Sequence, residues 1–414
     1  MRIAVVGAGI SGLTTAWLLS RRYEVTVFER EARIGGHTHT HDVERNGQRA
    51  RVDTGFIVFN EENYPAFTRI LRDLGVPSRA TEMSFGVRVE ASGLEYNATD
   101  LRRLFAQKRN LVQPRFWRMI RDLLRFYREA PAVLGDHAES RTLAEYLESE
   151  GYSEAFARDH LLPMGAALWS ASTERIGDFP IRSIVEFFAN HRMLQVEGRP
   201  QWRTIVGGSD SYLEPLCRPF ADHIRRGIAV EGIRRFEDRV RVSWDGGGED
   251  FDEVVIAAHS DQALRMLEDA DAVERDILGA MPYQRNEVQL HTDPGVLPRR
   301  RLARAAWNYH LPVGEERSAS VTYDMNALQG LPGPVDWLVT LNRREDVDPA
   351  AVLAEMVYHH PLFDRASVAA KGRFEELGAR RRTHFCGAYW GHGFHEDGVR
   401  SALRVARRFG VELG

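Results

Sequence analysis

The opening stretch MRIAVVGAGISG sets Gly7, Gly9 and Gly12 in G-x-G-x-x-G spacing directly behind the apolar run Ile3 to Val6. A second apolar run, starting at Tyr23, ends on Glu29. The order predicts a strand, a tight glycine turn, a helix, a second strand and an acid at its C-terminal end, which is the layout of a dinucleotide site. Gly7 permits the turn, Gly9 lets backbone approach a pyrophosphate, and Gly12 lets helix and strand pack closely. The free N–H groups of the helix start then face the phosphates. Glu29 accepts from a ribose 2′-OH and disfavours a 2′-phosphate.

At 414 residues the chain is long enough for two or three domains. A net charge of −4 gives no overall nucleic-acid footprint. Two widely separated cysteines, Cys217 and Cys386, imply neither a disulfide scaffold nor a cysteine zinc site and read as buried free thiols. Lys108 and Lys371 are the only lysines. The N-terminus lacks a signal-peptide cleavage pattern. No run approaches the ~18 apolar residues of a membrane span, so cytoplasmic residence is the default expectation.

Along the chain, Tyr64, Phe67, Ile70, Leu71 and Leu74 share a helical face, and Met83 to Tyr96 reads as a hairpin turning at Ser92-Gly93. Residues 99–170 are mostly helical. A second α/β portion starts near Ile205 and runs through Ile228–Val230, Val240–Trp244 and Val254–Ala258. Residues 283–345 alternate as antiparallel strands, and Leu353–Tyr358 reads as helix. The last helix starts in HEDGVRSALRVARRFG. The predicted class is α/β: a Rossmann-type domain assembled from 1–80, 205–280 and 380–414, and an α+β substrate domain from 81–204 and 281–379, with the helical insertion at 99–170.

Gly35-Gly36, soon after Glu29, adds a second close backbone approach and favours FAD over NAD. His37, His39 and His41 alternate and could converge on a metal, but no paired carboxylates accompany them and no metal is expected. Flavin contact or polar packing is the reading for His37. Asn286, Gln289 and His291 on one alternating strand, and the aromatic-polar mixtures AAWNYH and WGHGFHED, supply candidate pocket residues, Tyr309 and Trp390 foremost. Asn286, His291, Tyr309 and Trp390 are the catalytic candidates. Arg102 to Arg128 carries nine basic residues and one acid among apolar ones. The stretch Arg115–Arg128, with Phe116, Trp117, Ile120 and Leu124 as an apolar side and Arg118, Arg121, Arg125 and Arg128 as a cationic one, reads as a helix that meets an anionic membrane surface.

The segments ARIGGHTHT, VDTGFIVFN, YQRNEVQLHTD, AAWNYH and FCGAYWGHGFHEDGVRSALRVA resemble the flavoprotein superfamily of amine oxidases, protoporphyrinogen oxidase and carotenoid desaturases. Within it the chain is similar, over nearly its whole length, to bacterial FAD-dependent oxidoreductases often linked to cyclopropane-fatty-acid-synthase-like methyltransferases. The resemblance implies an amine-oxidase-like architecture and non-covalent FAD. It places Gly7, Gly9, Ile10, Ser11 and Gly12 at the pyrophosphate and Glu29 at the ribose. Arg33, Gly35, Gly36 and His37 approach the flavin side, Val230 the adenine, and Ala258 the second βαβ-like portion. Gly387, Glu396, Asp397, Gly398 and Val399 meet the ribityl chain and flavin edge. Amine oxidases of the superfamily often hold a lysine near flavin N5; here the matching strand has Arg285 and Asn286 instead, which weakens the amine reading. The resemblance and the basic aromatic segment favour desaturation of a long, methyl-branched fatty acyl lipid by hydride transfer. Redox-neutral double-bond isomerisation, amine oxidation and a flavin-bound partner role for a lipid methyltransferase are the alternatives.

Overall fold

The computed structural model describes residues 1–136, 138–313 and 320–414. Strands Ile224–Arg226, Glu24–Glu29, Arg2–Val6, Glu253–Ile256 and Thr383–Phe385 lie in that order in one parallel sheet. Its members thus come from three distant parts of the chain. Both faces are covered, which is why the strands are continuous apolar runs. Ile3 and Val5 face a layer containing helices Ile10–Leu19 and His395–Arg408. Ala4 and Val6 face a layer built on the antiparallel strands Val230–Arg235, Val240–Trp244 and Gly247–Phe251.

The first turn is shaped by sterics. Gly7 has φ +105°, and a Cβ on Gly12 would overlap the Gly7 carbonyl oxygen. A Cβ on Gly9, by contrast, would meet nothing within 4 Å, because it points into the cavity described below.

The largest sheet among the described residues has seven strands, ordered Val352–Pro361, Tyr283–His291, Leu338–Leu341, Ser320–Asp324, Trp307–Leu311, Phe85–Val89 and Leu94–Asn97. All pairs are antiparallel except Phe85–Val89 with Trp307–Leu311. The hairpin expected at 83–96 is present, with Gly93 at φ +61°. Helices between 101 and 190 cover this sheet and share one core with it, including Tyr96, Phe126, Phe156, Phe187 and Trp337.

Two expectations need correction. Leu353–Tyr358 is not helix: it lies in strand Val352–Pro361, paired residue by residue with Tyr283–His291. Cross-strand pairing here overrides the weak local helical pattern. In the basic helix, Pro114–Glu129, Phe116 is buried in the core with Met119 and Phe126, so it cannot belong to an outer apolar side. Ile120 is only partly exposed, Arg125 pairs with Glu129 and stacks over Tyr152, and the outward face carries Trp117, Arg118, Arg121, Leu124 and Arg128. No helix among the described residues is long and apolar enough to cross a membrane.

The two glycines should separate stability from binding. Gly12→Ala should destabilise the fold by about 1–3 kcal/mol through overpacking. Gly9→Val should change stability by less than about 1 kcal/mol, since it is a helix N-cap change into open space, yet abolish dinucleotide binding. Thermal melts and cofactor content of the two purified variants check this.

Candidate cofactor and substrate site

One cavity of about 1380 Å³ runs from the glycine turn to the seven-stranded sheet. It exceeds the ~300–1,000 Å³ of ordinary small-molecule pockets, and its wall divides chemically into two halves.

The first half is made by the parallel sheet. Gly7, Gly9, Ile10 and Ser11 line it at the start of helix Ile10–Leu19, whose N-terminus has no side-chain cap. Its first N–H groups therefore face the cavity unpaired, and the helix dipole favours an anion there. Glu29 lines the same end; its two oxygens accept from the N–H groups of Ala8 (2.9 Å) and Glu31 (2.9 Å). Each oxygen keeps acceptor capacity for a hydroxyl. Arg33, Gly35, Gly36, His37, Val230, Ala258 and Gly387 also line the cavity. Gly36 lies against Gly9, a Cβ on it coming 3.2 Å from the Gly9 Cα. The two glycine signals thus meet at one point.

Gly12, Glu396, Asp397, Gly398 and Val399 do not line the cavity, and their roles are packing and capping. Glu396 accepts from the N–H groups of Ala66 (3.2 Å) and Phe67 (2.9 Å), capping helix Pro65–Asp73. Asp397 accepts from His392 (2.9 Å) and Phe394 (3.0 Å), shaping the turn before the last helix. Gly398 gives that helix room against Ile10 and Ser11, and Val399 is core. Acids at a helix start cap N–H groups as readily as they meet a ligand, and the sequence pattern does not separate the two.

The second half is apolar and aromatic, with Met83, Phe85, Met164, Trp169, Phe187 and Trp307 among its residues. Between the halves stands a cluster of rings: His37 lies 5.0 Å from Tyr358 and 5.2 Å from His360, and His259 stacks on Tyr283 at 4.5 Å. His37 Nε2 is buried without a hydrogen-bond partner. His359 and His360, adjacent on an edge strand, were missed from sequence because that strand read as helix. Among the described residues no set of side chains is arranged to hold a metal.

None of the four catalytic candidates lines the cavity. Asn286 is fully buried behind it and reaches it through His360, whose Nδ1 is 2.9 Å from Asn286 Nδ2. His291 lies five residues further along the same strand, about 17 Å away at ~3.4 Å per residue, bonded to Thr340 Oγ1 (2.7 Å) and the Asp293 N–H (3.1 Å). Tyr309 shares a strand face with Trp307 but is one rung further into the core, where it is 2% exposed. Trp390 packs edge-on against Phe374 in the core while its neighbour Tyr389 faces the cavity. Cys217 and Cys386 are both free and buried, and burial pushes each thiol up to about 12.

Burial keeps four of the cavity histidines neutral. His259, His360 and His392 are lowered to about 4 and His395 to about 3, in each case chiefly by desolvation. The unfolded chain protonates histidine near pH 6.5, so it gains protons that the folded chain cannot as pH falls from 6.5 toward 4. Stability should be complete above that window and fall through it. Asp53, raised by burial to about 6, works in the opposite sense, as do Asp324, Glu396 and Asp397, which burial also raises, but the lowered histidines outnumber them. Melting temperature followed from pH 7.5 to 4.5 should drop steeply; a flat or rising profile would contradict neutral burial.

The cradle suits FAD. A helix start free to take a pyrophosphate, a glycine whose missing Cβ opens onto the cavity, an acid at the ribose end and an orphaned imidazole beyond Gly36 fit the parts of that molecule in order. Residues 10–298 match the family described as flavin containing amine oxidoreductase. The fold superposes over 99% of the chain on cyclohexylamine oxidase from Brevibacterium oxydans IH-35A, with TM-score 0.71, 16% identity and 99% of that chain covered. A putative protoporphyrinogen oxidase from Exiguobacterium sp. 255-15 and a CLA-producing fatty acid isomerase from P. acnes each match with TM-score 0.69, 17% identity, 99% of this chain and 98% of theirs. No match was found among the curated proteins. The chain belongs to the flavin containing amine oxidoreductase family and is an FAD-dependent oxidoreductase with a Rossmann-type domain built from discontinuous segments.

Proposed function

We propose that the protein removes hydrogen from a C–H bond of a long fatty acyl chain. The observation that carries this reading is the second half of the cavity. Its walls are chiefly methionine, aromatic and aliphatic, with the uncharged polar residues Thr81, Ser84, Ser170 and Gln201 among them. The only carboxylates lining the cavity among the described residues, Glu29, Glu31 and Glu231, belong to the dinucleotide half. An ammonium group would find no counter-charge, whereas an alkyl chain finds a largely apolar wall. Arg199, exposed at the rim of this half, suits a carboxylate or phosphate at the end of such a chain.

Bound FAD supplies the hydride acceptor. The chain's own contribution is to hold the alkyl segment beside the ring cluster, to exclude water with Trp169, Phe187 and Trp307, and to keep the surrounding imidazoles uncharged. Amine oxidation is the second reading. It is favoured by the family match and by the likeness to cyclohexylamine oxidase, and a neutral wall admits an amine as its free base. Redox-neutral isomerisation is supported by the likeness to a fatty acid isomerase.

Anaerobic mixing of the FAD-loaded protein with unsaturated and methyl-branched fatty acids, their phospholipids, and primary amines separates the three. Lasting flavin bleaching by acyl substrates with a new double bond is the expected result. Bleaching by amines alone would overturn the acyl reading, and a moved double bond without bleaching would select isomerisation.

We also propose that the acyl substrate is met at a membrane surface. The outward face of helix Pro114–Glu129 carries Trp117 at 47% and Leu124 at 50% exposure, and Leu111 and Val112 beside Trp117 are 51% and 80% exposed. Arg118 and Arg121 stand among them. Tyr127 of the same helix accepts from Arg199 at 3.4 Å, joining this face to the cavity rim. An apolar surface interleaved with arginines matches an anionic bilayer. Co-sedimentation with phosphatidylglycerol vesicles should fall about fivefold for each arginine replaced in Arg118→Gln and Arg121→Gln, with the FAD spectrum unchanged. Equal binding by the double variant, or no preference over phosphatidylcholine, would remove the membrane role.

A further inference from the structure

Asn342 follows strand Leu338–Leu341 and has φ +56°, a left-handed conformation that asparagine tolerates better than most residues. It is held there by two bonds to one residue of the neighbouring strand: its own N–H donates to the Glu287 carbonyl at 2.8 Å, and its Oδ1 accepts from the Glu287 N–H at 3.0 Å. A backbone N–H can only donate, so Asn342 Oδ1 is the acceptor and Nδ2 points the other way. That Nδ2 donates to Asn286 Oδ1 at 2.7 Å. The orientation of the Asn286 amide is fixed in turn, and its Nδ2 donates to the Gln284 carbonyl at 3.3 Å and meets His360 Nδ1 at 2.9 Å. His360 must therefore accept at Nδ1. In a neutral imidazole the proton then resides on Nε2.

We infer that Asn342 and Asn286 lock His360 as the Nε2–H tautomer, so that it presents a hydrogen-bond donor to an acceptor atom held in the cavity beside His37. The acceptor is either an atom of the bound flavin or an oxygen of the substrate; the shared requirement is a neutral N–H donor in a dry, uncharged setting. Asn286 and Asn342 are positioning residues, acting through His360. His360 lines the cavity, while Asn286 is wholly buried and Gln284, opposite His360 in the strand register, is half-buried. A polar chain from a backbone N–H through the half-buried Asn342 amide to the buried Asn286 amide is an exacting arrangement, because each member has one orientation that satisfies all the others. Burial lowers His360 to about 4 and supports its neutrality over the ordinary pH range. The inference rests on the cavity holding cofactor and substrate; the tautomer and the flavin arm of the test are independent of the acyl reading, and only the fatty acid arm rests on it, wild-type binding of the fatty acid being measured first.

The test starts with the tautomer itself. Two-bond proton–nitrogen correlations on 15N-histidine-labelled, FAD-loaded protein, with His360 assigned by loss in His360→Gln, should show protonated Nε2 and bare Nδ1. Asn286→Asp replaces the donor with an acceptor of the same shape and should reverse the pattern to protonated Nδ1, while the visible flavin spectrum shows that cofactor is retained. A wild-type protein with protonated Nδ1, or with both tautomers exchanging, overturns the lock. The source of the acceptor is then read from the same variant. A shifted flavin reduction potential assigns the flavin. An unchanged potential with binding of a saturated fatty acid weakened about tenfold assigns a substrate oxygen. If neither moves, His360 donates to nothing in the cavity and the inference fails.

Discussion

The site depends first on the pairing of Glu29 with the glycine turn. Its Oε2 accepts from the Ala8 N–H at 2.9 Å, tying the end of the second strand to the loop that leaves the first. Gly7 and Gly12 let that loop close under the helix, and the bond from Glu29 keeps it from collapsing further into the space beside the strand ends. An uncapped helix N-terminus would otherwise gather water or a side chain. Here it is held open, and the open end is where an anion is bound best. The rest of the cavity follows: Gly36 can lie against the Gly9 backbone because Gly36 itself carries no Cβ, and the chain beyond it then runs to His37.

His37 marks the change in the electrostatics of the wall. On one side the wall is polar and carries charge, as a dinucleotide requires. On the other it is neutral apart from Arg199 at the rim, and the buried histidines there stay uncharged because desolvation outweighs any nearby carboxylate. Charged groups near the substrate half are placed outside it or satisfied within the protein. Lys371, lowered by burial to about 8, donates to the Gly391 carbonyl at 2.8 Å and lies over Phe363, away from the cavity. A neutral, water-poor wall suits hydride chemistry, since it offers the reacting carbon no competing nucleophile or proton source except the groups placed there on purpose.

The parts of this design legible in the sequence are those governed by local sterics. Gly7, Gly9 and Gly12, the pair Gly35-Gly36 and the acid Glu29 have few alternative uses in that order, and they stand where the spacing placed them. The parts not legible are those that depend on which strand lies beside which. Val352–Pro361 carries Tyr358, His359 and His360 into the site only through its pairing with Tyr283–His291, and its own residues read more like a helix. Tyr309 and Trp390 are of a type that lines pockets, but depth along a strand and the side of a turn decided against them. Asn286 was read as a site residue on its polarity in an apolar strand. That polarity is used one contact further back than a motif can show.

Asn286 and Arg285 stand on this strand where the resemblance to amine oxidases would put a lysine. A lysine delivers a charge on a flexible stem and must be desolvated to be used. Asn286 delivers none. It offers a fixed direction, because its amide is held at Oδ1 by Asn342 and at Nδ2 by the Gln284 carbonyl, and it passes that direction to an imidazole. A site wall that excludes charge from the substrate is better served by an oriented neutral dipole than by a cation whose burial would cost several kcal/mol. The absence of lysine from this strand and the absence of carboxylates from the substrate half are thus two expressions of one constraint, a cavity kept neutral up to the atoms that react.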